Sequence, residues 1–590
     1  MAFEPTKPQS NAIDASPGTL VSAAAGSGKT AVLVERVIKK LCGENPIDAN
    51  RLLVVTFTDA AAKEMRIRIE KRLNDECRKF PDNHFLVKQK LQLRNAKICT
   101  IDSFCIELVR ENFDRLGINP DFAIGDEGQF VLLSENALNE VLNNNFEAAS
   151  EEFKLLTEAV SNDFDEGNLR KYIKDIYNYS QNMPFPDEWI YEQLEKCFND
   201  SNIYDSFEKA FLIAEERIGK AIKNIKLAIS GLEKLSELSA VYEPNFAAII
   251  SDLEILLKNC KKRDFNAVGL LVSTFKLPKL PSVRGANDIP EVVSAKNLRE
   301  EAKDLILSLN KFFYADYDKV FSHSKTVELL TATLLKLTLE YSELYNQKRQ
   351  EKNIMTFSDT EHLALSLLCE YKDGKVVLKD IAEEIINRFD EVLVDEFQDT
   401  NNMQDMLFSI LSNNEKRLFV VGDLKQSIYR FRGANPKNFS DKKDRYVNFD
   451  DAADGQLKKI VLGNNFRSRK GICDFTNFFF DIMMNGEKSI LKYDESDHLI
   501  YSAKFPENKQ TDVEISFVDP SGVDVTETDV KNIAEFIHRF MRDGVVTDKE
   551  SKELRKPRFS DFTLLLGRSQ PRAQNMRWNL KSMEYPYRIT

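Results

Sequence analysis

The rhythm of apolar and polar positions changes twice along this chain. Up to about residue 125, short continuous apolar runs alternate with helical patterns. Leu20-Val21-Ser22, Leu52 to Thr56 and Lys97 to Thr100 read as strands buried on both faces. Between them, Val34, Val37, Ile38 and Leu41 share one helical face, and Gly43 suits its end. From about Glu127 to Gln350 long amphipathic helices take over. One of them sets Val327, Leu330, Leu334, Leu337, Tyr341 and Leu344 at alternating spacings of three and four. Strand patterns return at Val392-Leu393-Val394 and Leu418 to Val421, so the first domain resumes after a helical insertion. A third region starts near residue 440, with Ile460-Val461-Leu462, the alternating Val513, Ile515 and Phe517, and Phe562 to Leu566 as strands. The pattern predicts an α/β chain. Its first domain is split over 1–125 and 351–440, a mostly helical insertion fills 126–350, and an incomplete second α/β domain occupies 441–590.

Composition narrows the class. The chain has 590 residues, too many for one core, and 42% apolar with 30% charged residues describes a helix-rich globular protein. The opening Met1-Ala-Phe-Glu-Pro-Thr-Lys-Pro has no apolar targeting segment, and no run approaches a membrane span, so the expectation is a cytoplasmic protein without membrane contact. Eight cysteines without a C-x-x-C pair and five dispersed histidines indicate neither zinc nor disulfides. A net charge of -12 argues against nonspecific coating of nucleic acid, yet leaves room for a locally basic groove. Within the insertion, Lys276, Lys279 and Arg284 beside Pro278 and Pro281 form a loop that either touches phosphates or is simply solvated.

Candidate chemistry begins at Ala23-Ala24-Ala25-Gly26-Ser27-Gly28-Lys29-Thr30, between an apolar strand and a helix, which is the context of a phosphate-binding loop. Gly26 and Gly28 let backbone N–H groups converge on phosphate oxygens, Lys29 reaches the β- and γ-phosphates, and the Thr30 hydroxyl suits Mg²⁺. Ala23 stands where the usual pattern has its first glycine. Such a site needs carboxylates at the end of a second buried strand, and Glu391-Val-Leu-Val-Asp-Glu-Phe-Gln-Asp-Thr400 offers Asp395 for the metal and Glu396 as general base. Read alone, that segment is also an acidic surface turn. The Gln9 amide has the donor and acceptor that adenine's edge requires.

Three further segments each follow a strand. Thr56-Phe-Thr-Asp-Ala-Ala-Ala-Lys-Glu-Met-Arg66 presents Phe57 for stacking on a base, with Asp59 as the expected N-cap of the next helix. Val421 to Ala434 combines Gln426, suited to sense a γ-phosphate, with Tyr429, Phe431 and Arg432 for nucleic acid. Leu462-Gly-Asn-Asn-Phe-Arg-Ser468 offers Phe466 to stack on adenine and Arg467 as an arginine finger, which would make hydrolysis depend on domain closure.

Together these segments resemble the superfamily-one helicases of the UvrD and RecB type over nearly the whole chain outside the insertion. The wording is nearest to the AddA family of bacterial helicase-nuclease subunits, through Val21 to Thr30, Thr100-Ile-Asp-Ser-Phe-Cys105, Met355-Thr-Phe-Ser-Asp-Thr-Glu-His-Leu-Ala364 and Lys425-Gln-Ser-Ile-Tyr-Arg-Phe-Arg432. The resemblance implies two RecA-like motor domains, the second incomplete, with ATP and Mg²⁺ between them. It implies single-stranded DNA ratcheted 3′ to 5′ past Phe57, Thr100, Tyr429 and Phe431, double-stranded DNA breaks as substrate in recombinational repair, and an AddB-like partner in a heterodimer. Rival readings are a single-subunit UvrD-like repair helicase, which usually carries a shorter insertion, a hydrolysis-silent DNA-binding motor subunit, and a P-loop switch or transport ATPase without DNA. Lys29, Asp395, Glu396 and Arg467 together argue against the silent motor, and the aromatics beside Gln426 argue against the switch.

Family members continue beyond Asp561-Phe-Thr-Leu-Leu-Leu-Gly-Arg-Ser569 into a second inserted domain, two further helicase motifs and, in the AddA type, a nuclease domain with a cysteine-bound iron-sulfur cluster. This sequence closes at Tyr587-Arg-Ile-Thr590 without them. The resemblance therefore implies that these 590 residues alone have strongly impaired ATPase and no unwinding or nuclease activity.

Overall fold

The computed structural model describes residues 4–160, 166–233, 235–484, 493–507, 511–517, 525–548, 551 and 553–565. Two compact units emerge, Met1–Pro120 with Asp359–Thr590, and Asp121–Ser358.

The first unit is organised by a seven-stranded sheet. Its strands are β1 (Thr19–Ala23), β2 (Leu52–Thr56), β3 (Lys97–Thr100), β4 (Glu391–Val394), β5 (Leu418–Gly422), β6 (Val447–Asn448) and β7 (Lys458–Leu462), in the spatial order β6-β7-β1-β5-β4-β2-β3. Every neighbouring pair is parallel. Parallel pairing requires crossovers, and these cover the faces, which is why β1, β2, β4 and β5 are apolar runs buried throughout. The helices that position the site are α1 (Lys7–Asp14), α2 (Lys29–Cys42), α3 (Asp59–Lys79), α4 (Ile101–Glu111), α5 (Phe357–Leu368), α6 (Asn402–Leu411) and α7 (Lys470–Met483). Helix α2 buries Val34, Val37, Ile38 and Leu41 against the sheet and ends at Gly43, as its periodicity predicts. The N-cap of α3 is Thr58, whose hydroxyl accepts from the Ala61 N–H, and Asp59 is the first helical residue rather than the cap.

The third region differs from its sequence pattern. Ile460-Val461-Leu462 belongs to β7 and pairs with Val21, Ser22 and Ala23 of β1, so it extends the first sheet instead of opening a second. Val513, Ile515 and Phe517 lie outside any strand, with Ile515 56% and Phe517 90% exposed. Phe562 to Leu565 are likewise outside any strand, and Leu566 falls outside the described residues. Alternation identifies an extended segment with one apolar face, but not the sheet that will cover it. Among the described residues after β7 the strand pairings are two-residue bridges, Asn464–Asn465 with Ile500–Tyr501 and Val546–Thr547 with Leu554–Arg555.

The second unit is helical. Its larger core is built by Ser201–Leu232, Ser236–Lys261 and Pro290–Leu307, and a second core joins Glu127–Ala148, Gly167–Ser180 and Tyr317–Glu351. On the last helix Leu337 and Tyr341 are buried and Leu330, Leu334 and Leu344 pack beside them, whereas Val327 is exposed. The unit is closed by a short parallel pairing of Ala123–Ile124 with Ile354–Met355. In the loop after Thr274, Phe275, Leu277, Leu280 and Val283 pack on the larger core and leave Lys276, Lys279 and Arg284 in solvent. No helix among the described residues is long and apolar enough to cross a membrane.

Ile218, at the centre of Ser201–Leu232, is fully buried. Ile218→Ala should cost about 2–5 kcal/mol, read as a lower midpoint in denaturant unfolding with the slope unchanged.

Candidate functional site

All described strands of the large sheet run the same way, so the segments leaving their C-terminal ends meet along one edge. The loop after β1 contains Gly26 and Gly28 at φ +69° and +84°, a left-handed backbone that side chains rarely adopt. Gly26 is also held by space, because a Cβ there would lie 2.7 Å from the Arg467 Cβ. The loop, Arg68, Glu396, Gln426, Phe466 and Arg467 line a cavity of about 370 Å³. Ala25 and Ser27 are brought into the site by their backbone: the Ala25 carbonyl accepts from the Asn465 side chain at 2.7 Å, and the Ser27 carbonyl accepts from Gln9 Nε2 at 2.9 Å. Ala23 ends β1, and the Ala24 N–H donates to the Leu462 carbonyl.

Gln9 is buried on α1, and its Oε1 accepts from the Thr6 N–H, closing a capping box. One N–H and one lone pair of the amide remain for a further partner. Phe466 is half-exposed, its N–H donating to the Gly26 carbonyl. Phe466 and Arg467 therefore leave the sheet one strand away from the phosphate-binding loop, already against it.

The opposite wall is acidic. Lys29 Nζ donates to Glu396 Oε2 at 2.8 Å, and Gln398 Nε2 donates to the same oxygen at 3.0 Å. Burial first, and then the neighbouring Glu396, push the carboxyl groups of Asp395 and Asp399 up to about 6. Glu396 itself sits at φ +53°, a left-handed conformation that turns its side chain out of the strand direction. Ser27 Oγ and Asp399 Oδ1 are buried without a hydrogen-bond partner. A cradle of donors facing a carboxylate cluster with only Lys29 paired to it fits a nucleotide phosphate with a divalent cation. Thr30 and Asp395 would hold that cation together with phosphate oxygens, since no cluster of three or more His, Cys, Asp or Glu among the described residues forms a metal cage. Gln426 lines the cavity while its Nε2 donates to Asp423 at 2.8 Å.

The same segment that carries Gln426 continues into an aromatic cluster. Tyr429 packs on Phe57 with ring centroids 4.8 Å apart and lies 6.0 Å from Phe431, and Arg432 stands over both Tyr429 and Phe431. Phe431 is 79% exposed. Thr100 is not part of that cluster. It ends β3 opposite Thr56, is buried, and caps α4 by accepting from the Ser103 N–H.

Several residues with a place in this geometry are silent in the sequence pattern. Asn465 is buried and staples the Phe466-Arg467 turn, accepting from the Arg467 and Ser468 N–H groups while donating to Ala25. Arg68 reaches the cavity from α3, where its spacing from Glu64 reads as an ordinary surface ion pair. Arg36 is wholly buried behind the loop. Asp102 of α4 and Glu361 of α5 form a buried carboxyl pair, with Gln404 of α6 donating to Glu361 at 2.8 Å. Of these only Asn465 has a local signal that could have found it, the asparagine turn after a strand.

These features define the class: a P-loop nucleotide-binding α/β protein whose phosphate site and exposed aromatic cluster share one sheet edge. A model of the UvrD/REP helicase N-terminal domain matches residues 6–447, and the chain belongs to that family. The ATP-dependent helicase/nuclease subunit (AddA) of Clostridium perfringens strain 13 is 35% identical over 515 residues, covering 85% of this chain and 40% of that protein. The proteins of the same name from Clostridium beijerinckii and Geobacillus thermodenitrificans are 32% and 34% identical, covering 93% and 96% of this chain and 46% and 47% of theirs. The chain thus spans less than half the length of these relatives.

Burial, reinforced by Asp102, pushes Glu361 up to about 8 from an ordinary 4.5. The folded protein holds this proton more tightly than the unfolded chain, so the associated stability is full below about pH 4.5 and is lost as pH rises through about 8. Glu361→Gln has no proton to lose. Its thermal midpoint should gain on the wild type steadily across that window and then run parallel, whereas parallel curves throughout would show that Glu361 titrates normally.

Proposed function

We propose that this chain is the motor part of an ATP-dependent DNA helicase subunit. It would act with Mg²⁺ in the cytoplasm, within a helicase-nuclease that processes double-strand breaks for recombinational repair. Family membership supports a motor, and the names of the relatives support the helicase-nuclease assignment. An AddB-like partner, 3′ to 5′ polarity and a second RecA-like domain built from 441–590 belong to the same reading. One observation carries the motor: the short segment from Asp423 to Arg432 has Gln426 in the phosphate cavity and Tyr429 against Phe57. A change at the γ-phosphate is thereby carried to the surface suited to hold bases.

The residues divide the work. Gly26, Gly28 and the start of α2 direct N–H groups at phosphate, and Lys29 exchanges Glu396 for the β- and γ-phosphates. That exchange frees the Glu396 carboxylate to take a proton from an attacking water, so the base is released only when nucleotide is in place. Bound Mg²⁺ neutralises charge on the phosphate oxygens. Arg467, beside Gly26, is placed to meet charge developing on the γ-phosphate, and Phe466 offers its exposed ring to adenine. Phe57, Tyr429 and Phe431 provide sequence-tolerant stacking while Arg432 contributes a cation for the backbone. Thr100, buried at the end of β3, would meet DNA through its backbone or after a shift of α4.

Lys29→Ala should abolish measurable ATP binding without loss of fold, checked by calorimetry beside circular dichroism. Phe57→Ala should weaken single-stranded DNA binding by about 1–3 kcal/mol and leave ATP affinity intact. A non-hydrolysable ATP analogue should change wild-type DNA affinity about fivefold or more, and Gln426→Ala should remove that coupling while both ligands still bind. ATP binding without any DNA binding would favour a P-loop switch.

A further inference from the structure

Arg36 lies on α2, on the side away from the phosphate cavity, and is fully buried. Its guanidinium touches every element that carries the nucleotide residues. Nε donates to Glu391 Oε1 at 2.8 Å, and Nη2 donates to the same oxygen. Glu391 opens β4, the strand that delivers Asp395 and Glu396 at its other end. The Phe419 ring of β5, the strand leading to Gln426, lies 4.0 Å from the guanidinium carbon. Nη1 donates to the carbonyls of Ala12 at 2.9 Å, Ile13 at 3.3 Å and Ala15 at 2.8 Å.

Those three carbonyls close the C-terminal end of α1. An eight-residue helix has little stability of its own, and the cation complements both its orphan carbonyls and its dipole. Gln9 stands at the other end, joined to the phosphate-binding loop by its bond to Ser27. A buried ion pair contributes little net stability compared with apolar groups of the same volume, because desolvation offsets its attraction. The arrangement supplies direction instead: three carbonyls aimed at one planar fork fix the helix in rotation as well as distance.

We propose that Arg36 is a positioning residue for recognition of the nucleotide base, holding α1 and the Gln9 amide in register with the phosphate-binding loop. This rests on the reading of the cavity as an ATP site. Loss of Arg36 leaves the phosphate contacts of Gly26 to Thr30 in place and releases the helix that faces the base.

The test compares Mg²⁺ATP with Mg²⁺-tripolyphosphate, which has the phosphates without the base, by calorimetry on the whole 590-residue chain. The wild type should prefer ATP by about tenfold or more. Arg36→Met combined with Glu391→Leu replaces the pair by apolar groups and should fold. It should bind tripolyphosphate within about twofold of the wild type and lose most of the preference for ATP, as should Gln9→Ala. Arg36→Lys keeps the charge but cannot reach three carbonyls, and should show the same loss if the double variant proves unstable. Retained preference for ATP in a folded Arg36 variant would make Arg36 a packing residue only and overturn the proposal, as would a wild type that binds both ligands equally. A wild type that binds neither overturns the ATP reading itself.

Discussion

The parallel register of the large sheet is the constraint on which the site depends. Ser22 lies opposite both Val461 and Gly422, Val394 opposite Val55, and Thr56 opposite Thr100. Adjacent strands therefore end level with one another, and every segment with chemistry leaves at the same edge. Parallel ladders allow this because each strand returns through a crossover on a face of the sheet. A shift of one residue in any strand would turn its buried face outward, so packing of the core holds the site in alignment.

Electrostatics then sets the state of that edge. Asp395, Glu396 and Asp399 crowd one wall, and the Lys29 ammonium pairs with Glu396. The crowding shows in the raised affinity of two carboxyl groups for protons. A divalent cation with phosphate resolves it by supplying positive charge to Asp395 and drawing Lys29 away from Glu396. In the proposed reaction the same ion pair keeps the base occupied until a nucleotide is correctly seated, and so disfavours idle hydrolysis.

Much of the site was legible because its residues lie in contiguous segments whose local requirements are strict. Gly26 and Gly28 needed positive φ, and a strand ending in Asp395-Glu396 needed burial before exposure. Tyr429 and Phe431 at alternate positions were visible as a pair, but their union with Phe57 was not, since it depends on β2 and β5 ending at the same level. Thr100 was given a DNA role by resemblance, and the fold uses its hydroxyl as a helix cap. The segment Lys458–Leu462 read correctly as a strand and incorrectly as part of another domain, because hydrophobic period reports burial without naming the partner.

The sequence by itself determined the nucleotide loop, the acidic strand end, the split of the first domain around a helical insertion, and family resemblance. These follow from spacing within short windows. Only the tertiary structure decided that Phe466 and Arg467 stand beside the loop from the neighbouring strand, that Arg68 reaches the cavity, that Asn465 staples the two turns, and that Arg36 ties α1 to β4. Each is a contact between residues far apart in the chain, whose pairing is fixed by the sheet's strand order. A buried arginine or asparagine carries no periodicity of its own, so its role is written in the partners that folding brings to it.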